Sequence, residues 1–168
     1  MNKNLLVTLA IALLVAGLLL TTGVVSADVE RSNFSGSEIC PPAPEGGSMR
    51  VEGSRVIIRD AVLICDLVAD DPRISGTEVV ILDANFDAAT FSGQFHAKVT
   101  FFNEDGSWTG TVVGRRNPDG SSSTISHGPL HGSDAYAGML MFYSMQHAAD
   151  PSAPYIITGY ILETGSAK

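Results

Sequence analysis

The chain has 168 residues, 45% of them hydrophobic and 17% charged, with a formal charge of −8 at pH 7. That length serves one domain. The acidic balance, relieved by no basic stripe beyond the isolated pair Arg115 and Arg116, argues against nucleic acid and anionic lipid surfaces as partners.

The first 27 residues read as a signal peptide rather than as part of that domain. Lys3 supplies a positive start, residues 5–20 form an apolar run broken only by Thr8 and Gly17, and Val25, Ser26 and Ala27 offer the small side chains a signal peptidase reads. Cleavage between Ala27 and Asp28 is expected, which makes the mature part secreted or extracytoplasmic and free of the membrane. An uncleaved membrane anchor is the alternative, because residues 5–27 carry no charge and about 20 apolar residues span a bilayer.

Residues 28–53 are polar and carry the run Pro41-Pro42-Ala43-Pro44-Glu45-Gly46-Gly47. Such a composition buries too little apolar surface to order itself and reads as a flexible leader. The compact domain is expected over 54–168. Cys40 and Cys65 are the chain's two cysteines, and export places them where thiols oxidise. A disulfide between them is the expected state, tying the leader to the first strong strand; free thiols are the alternative, and the spacing is not that of a CxxC redox pair.

Strand signals then follow one another. Residues 55–68 are rich in Val, Ile and Leu, enough for one bent strand or two short ones, and end at the breaker Asp70-Asp71-Pro72. In 77–86, Val80, Leu82, Ala84 and Phe86 share one side. The clearest alternation is in 91–102, where Phe91, Gly93, Phe95, Ala97, Val99 and Phe101 face one way and Ser92, Gln94, His96, Lys98 and Thr100 the other. Asp105-Gly106 marks a hairpin, after which Trp108, Gly110, Val112 and Gly114 share a face. Asn117-Pro118-Asp119-Gly120 makes the next turn. A polar strand over 121–128, a strand over 135–146 and a last strand over 155–163 complete the series.

Many short strands with turn residues between them, and no amphipathic helix, predict an all-β fold. The fold expected is a six- to eight-stranded antiparallel β-barrel with a flexible N-terminal leader. Glycines within the strands (Gly93, Gly110, Gly114, Gly138, Gly159) favour a barrel over a sandwich, because glycine relieves crowding where a strand bends to close a small sheet.

From Phe91 onward, Gly106-Ser107-Trp108-Thr109-Gly110 after a hairpin, Gly132-Ser133-Asp134-Ala135-Tyr136-Ala137-Gly138 before a strand, and the closing Thr158-Gly159-Tyr160-Ile161 stand in a particular order. In these features, and in the segment Asp71-Pro72-Arg73-Ile74-Ser75-Gly76-Thr77, the chain resembles the allene oxide cyclase and dirigent-like β-barrel family and its secreted bacterial members. The resemblance implies an eight-stranded barrel, often trimeric, with an apolar lumen. In the cyclase branch the substrate is a fatty-acid epoxide steered by cavity shape. None of the polar positions of that branch is matched here, so no catalytic residue is carried over.

Other chemistries are weakly supported. His127 and His131 are four apart, but Gly128 and Pro129 forbid a helix, and on extended backbone the two rings stand about 13 Å apart at ~3.3 Å per residue. Surface histidines are the better reading, with no metal or other cofactor expected. Asp83, Asn85 and Asp87 alternate as in a calcium loop, yet Ala88 and Gln94 stand where its glycine and bidentate glutamate belong. Loosely held calcium at the Asp70-Asp71 or Asp83-Asp87 rim is the alternative to a plain strand end and turn. Glu52, Glu78 and Glu163 lie in or beside strands; they either face outward, as charged side chains usually do, or pair as carboxyls in a lumen.

The strand over 136–145 is apolar on both faces, with Leu140 and Phe142 on one and Met139, Met141, Tyr143 and Met145 on the other. Both faces must therefore be covered, by the leader, by a second copy in a homo-oligomer, or around a ligand cavity. On the last reading Met139, Met141, Tyr143 and Met145 are ligand-binding, adaptable methionines lining a site for a small apolar molecule. Without a catalytic constellation, a non-enzymatic binding or structural module is the first functional reading. The alternatives are a cyclase or isomerase acting on a hydrophobic substrate in the lumen, and an oligomeric extracellular interaction protein.

Overall fold

The computed structural model describes residues 29–41, 44–150 and 152–164, and no helix occurs among them. The expected signal segment and its Ala27/Asp28 cleavage point lie outside the described residues. Ten strands follow in chain order: β1 (Val29–Ile39), β2 (Ser48–Glu52), β3 (Arg55–Ala69), β4 (Gly76–Asp87), β5 (Gly93–Phe102), β6 (Gly106–Arg116), β7 (Ser122–Ser126), β8 (Leu130–Asp134), β9 (Met139–His147) and β10 (Tyr155–Thr164).

Eight of them close into an antiparallel barrel in the order β1-β10-β9-β7-β6-β5-β4-β3, and β3 returns to β1. β8 continues the stave begun by β7, since both pair with β6 and β9. β2 forms a hairpin with the first part of β3. The all-β barrel is the expected architecture.

The segment that closes it is not the expected one. β1 lies within the stretch read as a flexible leader over 28–53, and β2 adds a second strand there. β1 pairs with β10 from Val29↔Thr164 to Glu38↔Tyr155, and with β3 over the four pairs from Gly36↔Ala69 to Ile39↔Asp66. Hydrogen bonding along two edges orders it without a strong apolar face. Phe34 is the one large apolar side chain it sends inward, alternating with buried Glu38 and the small Ser32 and Gly36. The domain therefore begins at β1, not near Ser54.

β3 serves two neighbours along one edge because it bends. Its register against β4 slips between Ile58 and Ala61. Asp60 sits there in the left-handed region at φ 53°, and its N–H donates to Asp83 Oδ1 at 2.9 Å. A bulge of this kind turns a strand and lets a small sheet curl shut. The disulfide joins Cys40, just past β1, to Cys65 on β3, clamping the seam the four β1–β3 pairs make.

Alternation decides what points inward. On β5 the buried set is Ala97, Val99 and Phe101, and on β9 it is Met141, Tyr143, Met145 and His147. One end of the barrel is filled by Trp108, Ile74, Leu130, Tyr136 and Ile161, all within one buried cluster. Trp108 stacks on Tyr136 with centroids 5.1 Å apart. A smaller cluster of Val56, Ala84 and Phe86 lies apart from it, with Ile58 and Phe95 against it.

The apolar outer face of β9 is covered by neighbouring side chains. Phe142 stacks on Tyr160 of β10 at 5.1 Å, and the Arg31 guanidinium of β1 lies 3.9 Å over the Tyr160 ring. Aromatic stacking capped by a cation shields part of that face. Gly159 of β10 is opposite Phe34 in the register, and the Phe34 ring occupies the space a side chain there would fill.

Candidate functional site

A cavity of about 440 Å³ occupies the lumen between the filled end and the smaller cluster. Its walls are apolar, from Val80, Leu82, Ala97, Val99 and Met145, and it reaches the surface beside the exposed Met49 and Phe91. Such a volume suits a small organic molecule.

Two carboxyls project into it. On β4, Glu78 stands in phase with Val80, Leu82, Ala84 and Phe86, so period-2 alternation carries it inward with them. On β1, Glu38 is in phase with Phe34 and is held between Leu67 of β3 and Tyr155 of β10 by the register on both edges. Each is only 1% exposed. Tyr143 of β9 donates its hydroxyl to Glu78 Oε1 at 3.4 Å, a long bond, while its ring meets Phe101 edge-on at 5.4 Å. Glu38 Oε1 and Glu78 Oε2 have no hydrogen-bond partner in the structure.

The environment works against charge on this pair. Burial raises the Glu78 carboxyl well above its ordinary value, and the hydrogen bond with Glu38 and its charge push the same way. Burial also raises Glu38, opposed by its hydrogen bond with Glu78. Two acids in low dielectric and beside each other resist ionising together. The Tyr143 phenol is likewise pushed up, first by burial and then by the two glutamates.

The remaining polar groups of the lumen lie nearby. The Tyr155 phenol is raised by burial and by Glu38, and Arg116 draws it back. Arg116 is the basic side chain among the described residues that line the cavity, and its Nε is buried without a hydrogen-bond partner. His147 stacks on Tyr155 at 4.2 Å, and its Nε2 lies 3.0 Å from the Ala153 carbonyl.

Of the four side chains read as ligand-binding, Tyr143 and Met145 line this cavity. Met139 and Met141 also face inward but pack in the main core cluster and do not line the cavity. Of the glutamates considered for a lumenal pair, Glu78 is inside. Glu52 is on the surface with Arg50, and Glu163 pairs with Arg73, which also binds Asp71. The partner of Glu78 is Glu38, hidden in the stretch read as leader.

The other candidates are dispersed. His127 and His131 are exposed, and His96 faces outward with Nε2 3.2 Å from Asp83 Oδ2. Asp87 Oδ1 accepts from the Ala89 and Thr90 amides and the Thr90 hydroxyl, which makes it a turn cap. Asp70 caps the Ser35 amide and hydroxyl. Glu38, Cys40 and Cys65 bring possible ligand atoms within 4.8 Å of one another, but both sulfurs are in the disulfide and neither is a thiolate ligand.

Comparison of the chain with protein-family models, with curated proteins and with solved structures finds no match.

Proposed function

We propose that this protein is an exported carrier or binding module that holds a small, mostly apolar molecule in its barrel. The observation that carries this reading is the 440 Å³ lumenal cavity, apolar in its walls and polar at a few grouped positions. The Cys40–Cys65 disulfide fits an oxidising compartment, as does the signal-peptide pattern of residues 1–27. Incubation of the purified chain with a cellular lipid extract, followed by native mass spectrometry, tests the reading. A retained small molecule is expected in the wild type, and its loss is expected in Ala97→Trp, which fills the lumen from β5. A wild-type chain that retains nothing from the extract overturns it.

A second reading, a cyclase or isomerase, is favoured by one observation: the cavity contains two buried carboxyls and a phenol rather than apolar side chains alone. A rearrangement that takes a proton at one atom and returns it at another needs no co-reactant, and a carboxyl pair sharing one proton supplies both roles. Turnover of an unsaturated fatty-acid epoxide by the wild type, abolished in Glu78→Gln, is the result expected of an enzyme. Equal rates with and without protein remove this reading and leave the binding module in place.

A further inference from the structure

The donors and acceptors around Glu38 and Glu78 do not balance. Tyr143 O–H is spent on Glu78 Oε1. Glu38 Oε1 and Glu78 Oε2 are buried and receive no hydrogen bond from a donor outside the pair. Both side chains are 1% exposed and both line the cavity, so what satisfies these oxygens must come from inside it. A buried acceptor left unmade costs about 1–3 kcal/mol, more when it carries charge.

Three apolar ligand classes meet this differently. A carboxylate brings acceptors and a like charge, which the pair repels. An alcohol brings one O–H, enough for one of the two oxygens and none of the charge. An ammonium brings several N–H donors and the opposite charge, so it bridges both oxygens and neutralises the pair. Arg116 at the same cavity disfavours a second cationic group on the ligand.

We infer that the Glu38–Glu78 pair is the anchor for the protonated amine of an otherwise apolar monoamine seated in the lumen. This rests on the binding-module reading above and names the chemical class of its ligand.

The test compares decylamine, 1-decanol and decanoate, each below its aggregation concentration, by isothermal titration calorimetry on the full oxidised chain at neutral pH. Wild type binds decylamine at least about tenfold more tightly than decanol, the step that one charge-assisted contact beyond a neutral one supplies, and decanoate most weakly. In Glu38→Gln, whose amide brings donors of its own and no charge, the amine-to-alcohol ratio falls to about one while decanol binding is kept. Equal binding of amine and alcohol by the wild type overturns the amine anchor and leaves the apolar-binding reading standing. Binding of no probe overturns both. A preference for amine that survives in both Glu38→Gln and Glu78→Gln overturns the assignment to this pair. The wild-type comparison decides the matter even where a variant fails to fold.

Discussion

Trp108 donates its indole N–H to the main-chain carbonyl of Arg73 at 2.9 Å, tying β6 to the loop between β3 and β4 at the filled end of the barrel. The ring is fully buried and stacks on Tyr136, whose hydroxyl donates to Asn103 Oδ1 at 2.9 Å. Asn103 in turn donates from Nδ2 to the carbonyls of Pro72 and Ser75. One loop is therefore held from two sides. Trp108→Phe leaves the Arg73 carbonyl without its donor and a void beside Tyr136, and should cost about 2–3 kcal/mol. The urea midpoint followed by far-UV circular dichroism measures it, and a midpoint within error of the wild type contradicts the role given to this bond.

The disulfide should matter most where pairing is thinnest. β1 meets β3 over four register pairs, against ten with β10, and Cys40–Cys65 stands at the end of that short seam. On the loop-entropy account the cross-link contributes about 3 kcal/mol. The double variant Cys40→Ala, Cys65→Ala should lose about that amount and show faster amide exchange at 36–39 while the Phe101 and Val112 amides stay protected. Uniform acceleration across all strands would instead mean that the seam opens only with the whole barrel.

Stability should fall as pH rises through the folded values of the lumenal acids. Glu38 and Glu78 are raised in the fold above the ordinary 4.5, mainly by burial, so the folded chain binds more protons than the unfolded one in that window. Their contribution is complete below pH 4.5 and is lost on the way up. Asp70, held low by Ser35, and Asp71, held low by Arg73, act in the opposite direction: they stabilise above the ordinary 3.8 and lose that on acidification. Thermal midpoints across pH should therefore decline on both limbs for the wild type. Glu78→Gln should flatten the upper limb and leave the acid limb unchanged; an upper limb of undiminished slope would count against a raised Glu78.

Gly159 should tolerate no side chain. A Cβ there would stand 2.6 Å from Phe34 Cζ and collide with the Phe142 carbonyl oxygen. Gly159→Ala should destabilise by about 2–3 kcal/mol through overpacking. The double variant Gly159→Ala, Phe34→Leu should recover part of that loss, because the ring and the methyl compete for one space. Equilibrium denaturation of the four proteins of this cycle measures the coupling, and strict additivity would deny it.

The barrel was readable in the strands whose inward side chains are apolar. Ala97, Val99 and Phe101 on β5 alternate with Lys98 and Thr100, and the structure buries the first set. β1 carries no such signal, because its inward positions are Ser32, Phe34, Gly36 and Glu38, and hydropathy sees a polar stretch. Its order comes from main-chain bonds to β10 and β3, which composition does not record. β8 carries as weak a signal: five residues with one buried side chain, Leu130. Glu78 lies on a strand that alternation reveals, but its partner Glu38 lies on β1, which hydropathy does not, so only half of the acid pair is legible. The two methionines that miss the cavity, Met139 and Met141, show the same limit. Alternation assigns a side chain to the inside but not to a level along the barrel axis.

β1 and β10 are neighbours in space and the first and last strands of the described residues. As the polypeptide leaves the ribosome or a translocation pore, β1 can meet β3 early over their four pairs, but its ten-pair edge waits for β10, and the ring cannot shut before that strand has emerged. Hairpins such as β5–β6 assemble within a short span, whereas closure joins positions more than a hundred residues apart, the costliest contact to form in a fold of this kind. During that interval the lumen with its two acids is open to water, and after closure it is reached by the mouth beside Met49 and Phe91.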